Sequence, residues 1–284
     1  MTHKRDELHD RGLAFDRPRL VDRRRALQLL TGAGFATLAA ACSSKGSSGS
    51  GASATTDTTA TASTSTTSAS ATPSTTSGST TEIPDETAGP FPGDGTNGPN
   101  VLTDSAVVRR DIRSSFGSYS GTAAGAPLAV TLTVLDVANG ARALPGAAVY
   151  AWHCDRDGNY SLYSLPQQNY LRGVQVTGDD GKVTFTSIFP GCYPGRWPHI
   201  HFEVYKSLTV ATSGGTKLKT SQLAFPEDAC KVVYGSDGYR ASLNNLSQVS
   251  LATDSVFRDG WSSELATMKG GLADGYTAIL NVPV

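Results

Sequence analysis

One segment of the sequence lacks the apolar side chains that a compact domain needs, and it divides the chain into three regions. From Ser43 to Thr81, thirteen of the 39 residues are Ser and thirteen are Thr, with only small or polar residues between them. Such a composition buries too little apolar surface to offset the entropy of an ordered chain. We therefore expect residues 42–81 to form a flexible stalk, which leaves residues 82–284 to form one globular domain.

The region before the stalk has the pattern of an export signal. Basic residues, among them Arg23-Arg24-Arg25, precede sixteen uncharged residues from Ala26 to Ala41, fewer than the ~20 that span a bilayer. The arginines resemble a twin-arginine signal, which exports folded proteins. Ala39-Ala40-Ala41-Cys42 resembles a bacterial lipobox, although Ala39 replaces the usual Leu, so acylation of Cys42 and cleavage by an ordinary signal peptidase are alternatives.

These patterns predict that residues 1–41 are a twin-arginine-type signal peptide and that the protein is exported to the cell surface or beyond it. The expected membrane contact is a lipid anchor on Cys42, which would attach the protein to the outer face of the cytoplasmic membrane. A net charge of −1 gives no indication of nucleic-acid binding.

Within residues 82–284, alternation of apolar and polar residues indicates β-strands separated by turns that are rich in Gly, Pro, Asn and Asp. The predicted strands are Pro127 to Val137, Ala147 to His153, Lys182 to Ile188, His199 to Tyr205, Thr220 to Phe225 and Tyr276 to Val282. Short helical turns are expected in Asp228 to Tyr234 and in Val256 to Met268. The predicted fold is all-β, a two-sheet β-sandwich of the prealbumin or immunoglobulin type, with long loops.

A pair of histidines in one predicted strand is the first indication of chemistry. Alternate side chains of a strand project from the same face, so His199 and His201 form half of a metal site. A turn just before them presents Tyr193 and Arg196, and another tyrosine, Tyr160, ends the Asp155–Asn159 turn. We interpret His153, which lies in an apolar strand, as a packed residue, and the Asp155–Gly158 stretch as a turn rather than a calcium loop.

These residues lie in segments that resemble the intradiol ring-cleavage dioxygenases, ferric non-haem enzymes that open catechols between the two hydroxyls. The matching segments read AVYAWHCDRDGNYS, YLRGVQVTGDDGKVTFTSIFPGCYPGRWPHIHFEVY and TSQLAFPED, and weaker similarity begins near Gly89. The resemblance implies Fe(III) as cofactor, a catechol and O₂ as substrates, and a cis,cis-muconic acid as product. It leaves open whether the chain forms a homo-oligomer.

The resemblance also implies roles for particular residues. The iron ligands would be Tyr160, Tyr193, His199 and His201, with Tyr193 also leaving the metal to accept a substrate proton. Arg196 would stabilise negative charge on the bound ring, and Gln222 would orient Arg196 or a ligand. A short stretch, Ser213 to Thr216, lies between His201 and Gln222 and departs from the family pattern.

Two other interpretations of the sequence remain open: a non-catalytic β-sandwich lipoprotein that binds a ligand or partner, and a copper or zinc protein that uses the histidine pair. Cys154, Cys192 and Cys230 would lie in an exported domain, where we expect one disulfide and one free thiol; the pairing stays open, and we favour Cys192 with Cys230 because both flank the predicted iron site. A substrate that bears a carboxylate would need a cation opposite the iron, for which Arg109, Arg110 and Arg113 are candidates.

Overall fold

The computed structural model describes residues 81–284, so the predicted signal peptide, Cys42 and nearly all of the predicted stalk lie outside the described residues. Nine strands account for most of the regular structure. They are β1 (Pro127–Asp136), β2 (Arg142–Ala143), β3 (Ala148–Trp152), β4 (Arg172–Val176), β5 (Lys182–Ile188), β6 (His199–Tyr205), β7 (Lys217–Ala224), β8 (Thr267–Gly271) and β9 (Gly275–Pro283). Within the described residues, no helix is long and apolar enough to cross a membrane.

The strands form two sheets. In the five-stranded sheet β1 is central: it pairs with β9 in parallel, and with β5 and β2 antiparallel, while β8 extends the sheet beyond β9. The four-stranded sheet has the order β4-β3-β6-β7 and is antiparallel throughout. The predicted two-sheet β-sandwich is thereby confirmed.

Apolar side chains of both sheets form the main core. Val130 and Leu132 of β1 and Phe185 of β5 are in the same buried cluster as Phe202 of β6 and Leu223 of β7. On β1 the buried positions alternate with partly exposed ones, so one face of this strand lies in the core. The two sheets therefore pack face to face, as in other β-sandwiches.

The four-stranded sheet is covered on its second face as well, and the site described below lies there. Every residue of β3 and β6 is buried. Tyr150 and Trp152 belong to a second cluster, which residues 101–116 and Tyr160 cover from outside. Because both faces are buried, these strands carry apolar and aromatic residues at successive positions instead of a clean alternation.

Three short helices lie in the connections: α1 (Leu208–Thr212), α2 (Glu227–Tyr234) and α3 (Arg240–Leu246). Of these, the sequence predicted only α2. The expected helical region Val256 to Met268 contains a single 3-10 turn, Phe257–Asp259, and its last two residues begin β8. β8 forms a hairpin with β9, so its pairing partner rather than its own sequence TMKGG decides its conformation.

The expected disulfide between Cys192 and Cys230 was wrong, because Cys154, Cys192 and Cys230 are all free thiols. Each sulfur is buried inside the domain. The Cys192 thiol donates to the carbonyl oxygen of Arg196, at 3.5 Å, and the Cys154 thiol donates to that of Gly191, also at 3.5 Å. Burial raises the pKa of the Cys192 thiol to about 12, which disfavours the thiolate that disulfide formation requires.

Candidate metal centre

Strand β6 begins with the two histidines and directs both to the outer face of the four-stranded sheet. Their Nε2 atoms are 3.1 Å apart, and both residues are 2% exposed. His201 lies opposite Trp152 in the register of β3, and the two rings stack with centroids 4.9 Å apart. Nδ1 of His199 lies 2.5 Å from the carbonyl oxygen of Trp197; if Nδ1 carries the proton and donates here, Nε2 keeps its lone pair for the site.

Two loops add a tyrosine each to this histidine pair. The Tyr160 hydroxyl lies 3.5 Å from Nε2 of His199, and the Tyr193 hydroxyl lies 3.2 Å from the same atom. The rings of Tyr160 and His201 have centroids 6.3 Å apart. We refer to Tyr160, Tyr193, His199 and His201 as the tyrosine–histidine cluster. The structure brings together all four residues that the sequence predicted as metal ligands, while their binding of iron remains a prediction.

Two glycines let the loops approach the cluster closely. Gly89 has φ +66°, and a Cβ there would lie 3.3 Å from Cε1 of His201. Gly158 has φ +83°, and a Cβ there would lie 2.9 Å from Cβ of Tyr193, closer than side-chain atoms pack. A larger residue at either position would be strained in its backbone and would displace a member of the cluster.

Burial sets the protonation of the cluster. It raises the pKa of Tyr160 well above its usual value, and it raises that of Tyr193 to about 12 although Arg196 opposes the shift. Burial also lowers the pKa of both histidines well below the usual range, so the imidazoles are neutral. Two phenols beside two neutral imidazoles become anionic ligands only when a strong Lewis acid supplies positive charge, so the donor set fits a hard trivalent metal ion.

Arg196 and Gln222 contact each other next to the cluster, as the predicted roles require. Nη2 of Arg196 donates to Oε1 of Gln222 at 2.6 Å, and Nε2 of Gln222 donates to the carbonyl oxygen of Thr87 at 2.9 Å. Gln222 lies opposite His201 in the register of β7 with β6. The stretch Ser213 to Thr216 lies between α1 and β7, and the pairing of β6 with β7 has an irregularity at this end, between Val204 and Tyr205, whereas His201 remains opposite Gln222.

Asp254, which was not among the residues predicted from the sequence, is fully buried and binds Arg196. Its Oδ2 accepts from Nε of Arg196 at 2.9 Å and from the backbone N–H of Trp197 at 2.6 Å. Its Oδ1 accepts from the backbone N–H groups of Val256 and Phe257. No local pattern marks Asp254, because it lies 58 residues after its partner in a segment without regular periodicity.

Of the three arginines considered for a substrate carboxylate, Arg109 and Arg113 have side chains that are engaged away from the cluster. The guanidinium of Arg109 donates to the carbonyl oxygens of Arg172, Ile112 and Ser114 and lies over the ring of Phe116. Arg113 pairs with Asp111 at 2.7 Å on the surface. Arg110 is exposed, and its backbone carbonyl oxygen accepts from the N–H of Thr186 at 2.8 Å. None of the contacts found for these three residues involves the cluster.

Two carboxyl groups near Arg196 have unusual protonation. Oε1 of Glu264 accepts from the Ser221 hydroxyl at 3.4 Å, whereas Oε2 is buried without a hydrogen-bond partner. Burial and the charge of Glu86 raise the pKa of Glu264 to about 8. Burial and the charge of Asp259 raise the pKa of Glu86 to about 7, with Arg196 opposing. Both groups therefore hold protons in the folded state at pH values where an unfolded glutamate is ionised.

We expect the free energy of unfolding to fall as the pH rises from 7 to 8, because Glu264 and Glu86 hold protons in the folded chain that the unfolded chain does not bind. Below pH 7 the buried neutral histidines act in the opposite sense, because they bind protons only in the unfolded chain. Glu264 alone contributes a slope of up to about 1.4 kcal/mol per pH unit. In Glu264→Gln the unfolding free energy should depend less steeply on pH, and Glu86 should account for the dependence that remains. Urea unfolding at pH 7 and pH 8 measures this dependence, with the surface variant Glu227→Gln as control. An unchanged slope in Glu264→Gln would contradict the protonation of Glu264.

Comparisons with known proteins give results that agree with this geometry. A family model described as Dioxygenase matches residues 97–234. Chlorocatechol 1,2-dioxygenase from Rhodococcus opacus is 46% identical over 52 residues, which are 18% of this chain and 20% of that protein. The matched segment thus spans a fifth of that relative. An intradiol ring-cleavage dioxygenase from Tetranychus urticae has a TM-score of 0.50 and 28% identity, and the match covers 62% of this chain and 85% of that chain.

The family match includes every member of the tyrosine–histidine cluster as well as Arg196 and Gln222, and it ends before Asp254. Together with the β-sandwich, this match makes the chain similar to dioxygenases. More narrowly, the chain is similar in sequence and fold to intradiol ring-cleavage dioxygenases.

Proposed function

We propose that this chain opens the ring of a catechol between its two hydroxyl-bearing carbons, with Fe(III) bound by Tyr160, Tyr193, His199 and His201. The single observation that carries the proposal is the convergence of two phenol oxygens and an imidazole nitrogen on Nε2 of His199, within 3.5 Å. When bound there, Fe(III) would supply a Lewis acid that makes the catechol ring reactive toward O₂.

The residues around the cluster have distinct tasks in this proposal. Tyr193 is partly exposed whereas Tyr160 is 2% exposed, so the Tyr193 oxygen is the phenolate that accepts a proton from a catechol hydroxyl. The guanidinium of Arg196 stabilises negative charge that develops on the ring. Gln222 and Asp254 hold that guanidinium in place from two sides. The product is a cis,cis-muconic acid or its derivative, which contains both atoms of one O₂.

Oxygen uptake by iron-loaded protein tests the proposal, with catechol, hydroxyquinol, protocatechuate and larger lignin-derived phenols as substrates. We expect one O₂ consumed per ring opened, and a dicarboxylic product in which ¹⁸O₂ places two labelled atoms. The loaded protein should be red-brown, since tyrosinate-to-iron charge transfer absorbs visible light. An extradiol product, or colourless protein with full iron occupancy, would exclude the proposed site. Binding of copper or zinc without oxygen uptake would instead favour the alternative that the chain is a copper or zinc protein that uses the histidine pair.

We also propose that the protein is exported and attached to the outer face of the cytoplasmic membrane through a lipid on Cys42. The arginines, the sixteen uncharged residues and the small residues before Cys42 support this proposal. Export of the folded domain would allow iron to be loaded before the protein crosses the membrane. Mass spectrometry of the mature protein's N-terminal peptide tests it: a Cys42 without a lipid on its sulfur, or a mature N-terminus other than Cys42, would exclude the anchor.

A further inference from the structure

Arg172 is a fully buried arginine that has no carboxylate partner among residues 81–284. It is the first residue of β4, and it is 0% exposed. Nε donates to the Ser161 hydroxyl at 3.0 Å; Nη1 donates to the carbonyl oxygen of Pro92 at 2.8 Å and to the Tyr150 hydroxyl at 3.1 Å. Nη2 donates to the carbonyl oxygens of Phe91 at 2.9 Å and Ser161 at 3.0 Å. A buried charge is costly, and here five hydrogen bonds to neutral acceptors offset the cost.

Most of these acceptors belong to two segments that contact Tyr160. Ser161 follows Tyr160 directly, and Arg172 binds both its carbonyl and its hydroxyl. The ring of Phe91 lies 4.9 Å from the ring of Tyr160, and Arg172 binds the carbonyl of Phe91. The guanidinium thus holds the backbone beside this tyrosine and also the segment whose ring packs against it.

The Phe91 segment fits closely around the guanidinium. Gly93 has φ +66°, and a Cβ there would lie 2.7 Å from Nη1 of Arg172. At the other end of the segment, Asp94 pairs with Lys217 at 2.9 Å, and Lys217 also pairs with the buried Glu203 at 2.6 Å. Arg172 and Lys217 therefore fix the same segment at two places, but only Arg172 contacts residues that border Tyr160.

We propose that Arg172 is the positioning residue for Tyr160, which it acts on through Ser161 and Phe91. The planar guanidinium binds the Phe91 segment and Ser161 at once through its five N–H donors. A lysine ammonium has only three donors around one nitrogen and cannot reproduce this set of contacts. The role of Tyr160 as an iron ligand rests on the proposed function, whereas its position relative to His199 does not depend on any metal.

Two variants test the proposal. Arg172→Lys keeps the positive charge and loses most of the hydrogen bonds of the guanidinium. Ser161→Ala is milder, because it removes only the hydroxyl that accepts from Nε of Arg172. It therefore gives a result even if Arg172→Lys folds poorly. Asp94→Asn is the matched control, because it weakens the anchor of the same segment at Lys217 without touching Ser161 or Phe91. Each is compared with the wild-type protein in crystal structures of the metal-free form and in the visible spectrum and kinetics of the iron-loaded form.

We expect the Tyr160 hydroxyl to move away from Nε2 of His199 in Arg172→Lys, beyond the 3.5 Å of this structure, and to move less in Ser161→Ala. The tyrosinate band should shift while the iron content stays near that of the wild type, and kcat should fall by about 10- to 100-fold with a smaller change in KM. Asp94→Asn should lower the melting temperature only.

A lower melting temperature for all three variants, with the Tyr160–His199 distance and the band unchanged, would overturn the positioning role. If the wild-type protein takes up no iron, the proposed function fails, and the metal-free crystal structures still decide the position of Tyr160.

Discussion

Tyr160→Phe should lose iron and colour together. The substitution removes one hydroxyl and leaves the ring, which packs against Phe91 at 4.9 Å, so the fold should persist. Loss of residues that merely orient ligands lowers metal affinity or activity by about 10- to 100-fold, and loss of a ligand should cost at least the upper end of that range. Chelator competition measures the iron affinity, and the visible spectrum reports the remaining tyrosinate.

Tyr163→Phe is the matched control for this variant. Tyr163 also packs against Phe91, with ring centroids 5.1 Å apart, and it lies in the same loop. Its hydroxyl, however, accepts from the backbone N–H of Gly93 and donates to the carbonyl oxygen of Asn97, away from the cluster. Tyr163→Phe should therefore keep iron and colour. If Tyr160→Phe does the same, Tyr160 is not a ligand.

The sequence predicted those parts of the fold and the site that depend on local pattern. The strand β1 shows alternation because one of its faces lies in the core, and its limits differ from the prediction by a single residue. The pair His199 and His201 projects from one face because a strand repeats every two residues. The tyrosines could be assigned only through the family resemblance, since nothing in their own sequence separations requires Tyr160 to meet Tyr193.

What the sequence could not predict depends on distant contacts. The strand β4 has the sequence RGVQV, in which Arg172 and Gly173 are atypical of a strand. Gly173 is needed because a Cβ there would lie 2.5 Å from the Ile112 side chain, and Arg172 is buried only because Phe91, Pro92 and Ser161 supply its acceptors. The thiol of Cys192 likewise donates to the carbonyl oxygen of Arg196, a contact that the sequence alone did not reveal.

Asp254→Asn should both destabilise the domain and slow the reaction. Asp254 is fully buried, and the side chain of its partner Arg196 is 14% exposed, so the substitution leaves a largely buried guanidinium without its counter-charge. Breaking one partner of a buried pair costs about 3–5 kcal/mol of unfolding free energy. Urea unfolding measures this loss, and Glu227→Gln is the control. It breaks an exposed pair between Glu227 and Lys231, which is worth about 0.3–0.5 kcal/mol.

The effect of Asp254→Asn on the reaction distinguishes a positioning role from a purely structural one. Arg196 would keep its hydrogen bond to Gln222 but lose the one that fixes Nε, so the guanidinium could turn away from the substrate ring. We expect kcat to fall by about 10- to 100-fold, while iron content and the tyrosinate band stay as in the wild type, because no ligand is removed. Wild-type kcat in a folded but destabilised Asp254→Asn protein would mean that Asp254 supports the fold alone, and that Gln222 is sufficient to orient Arg196.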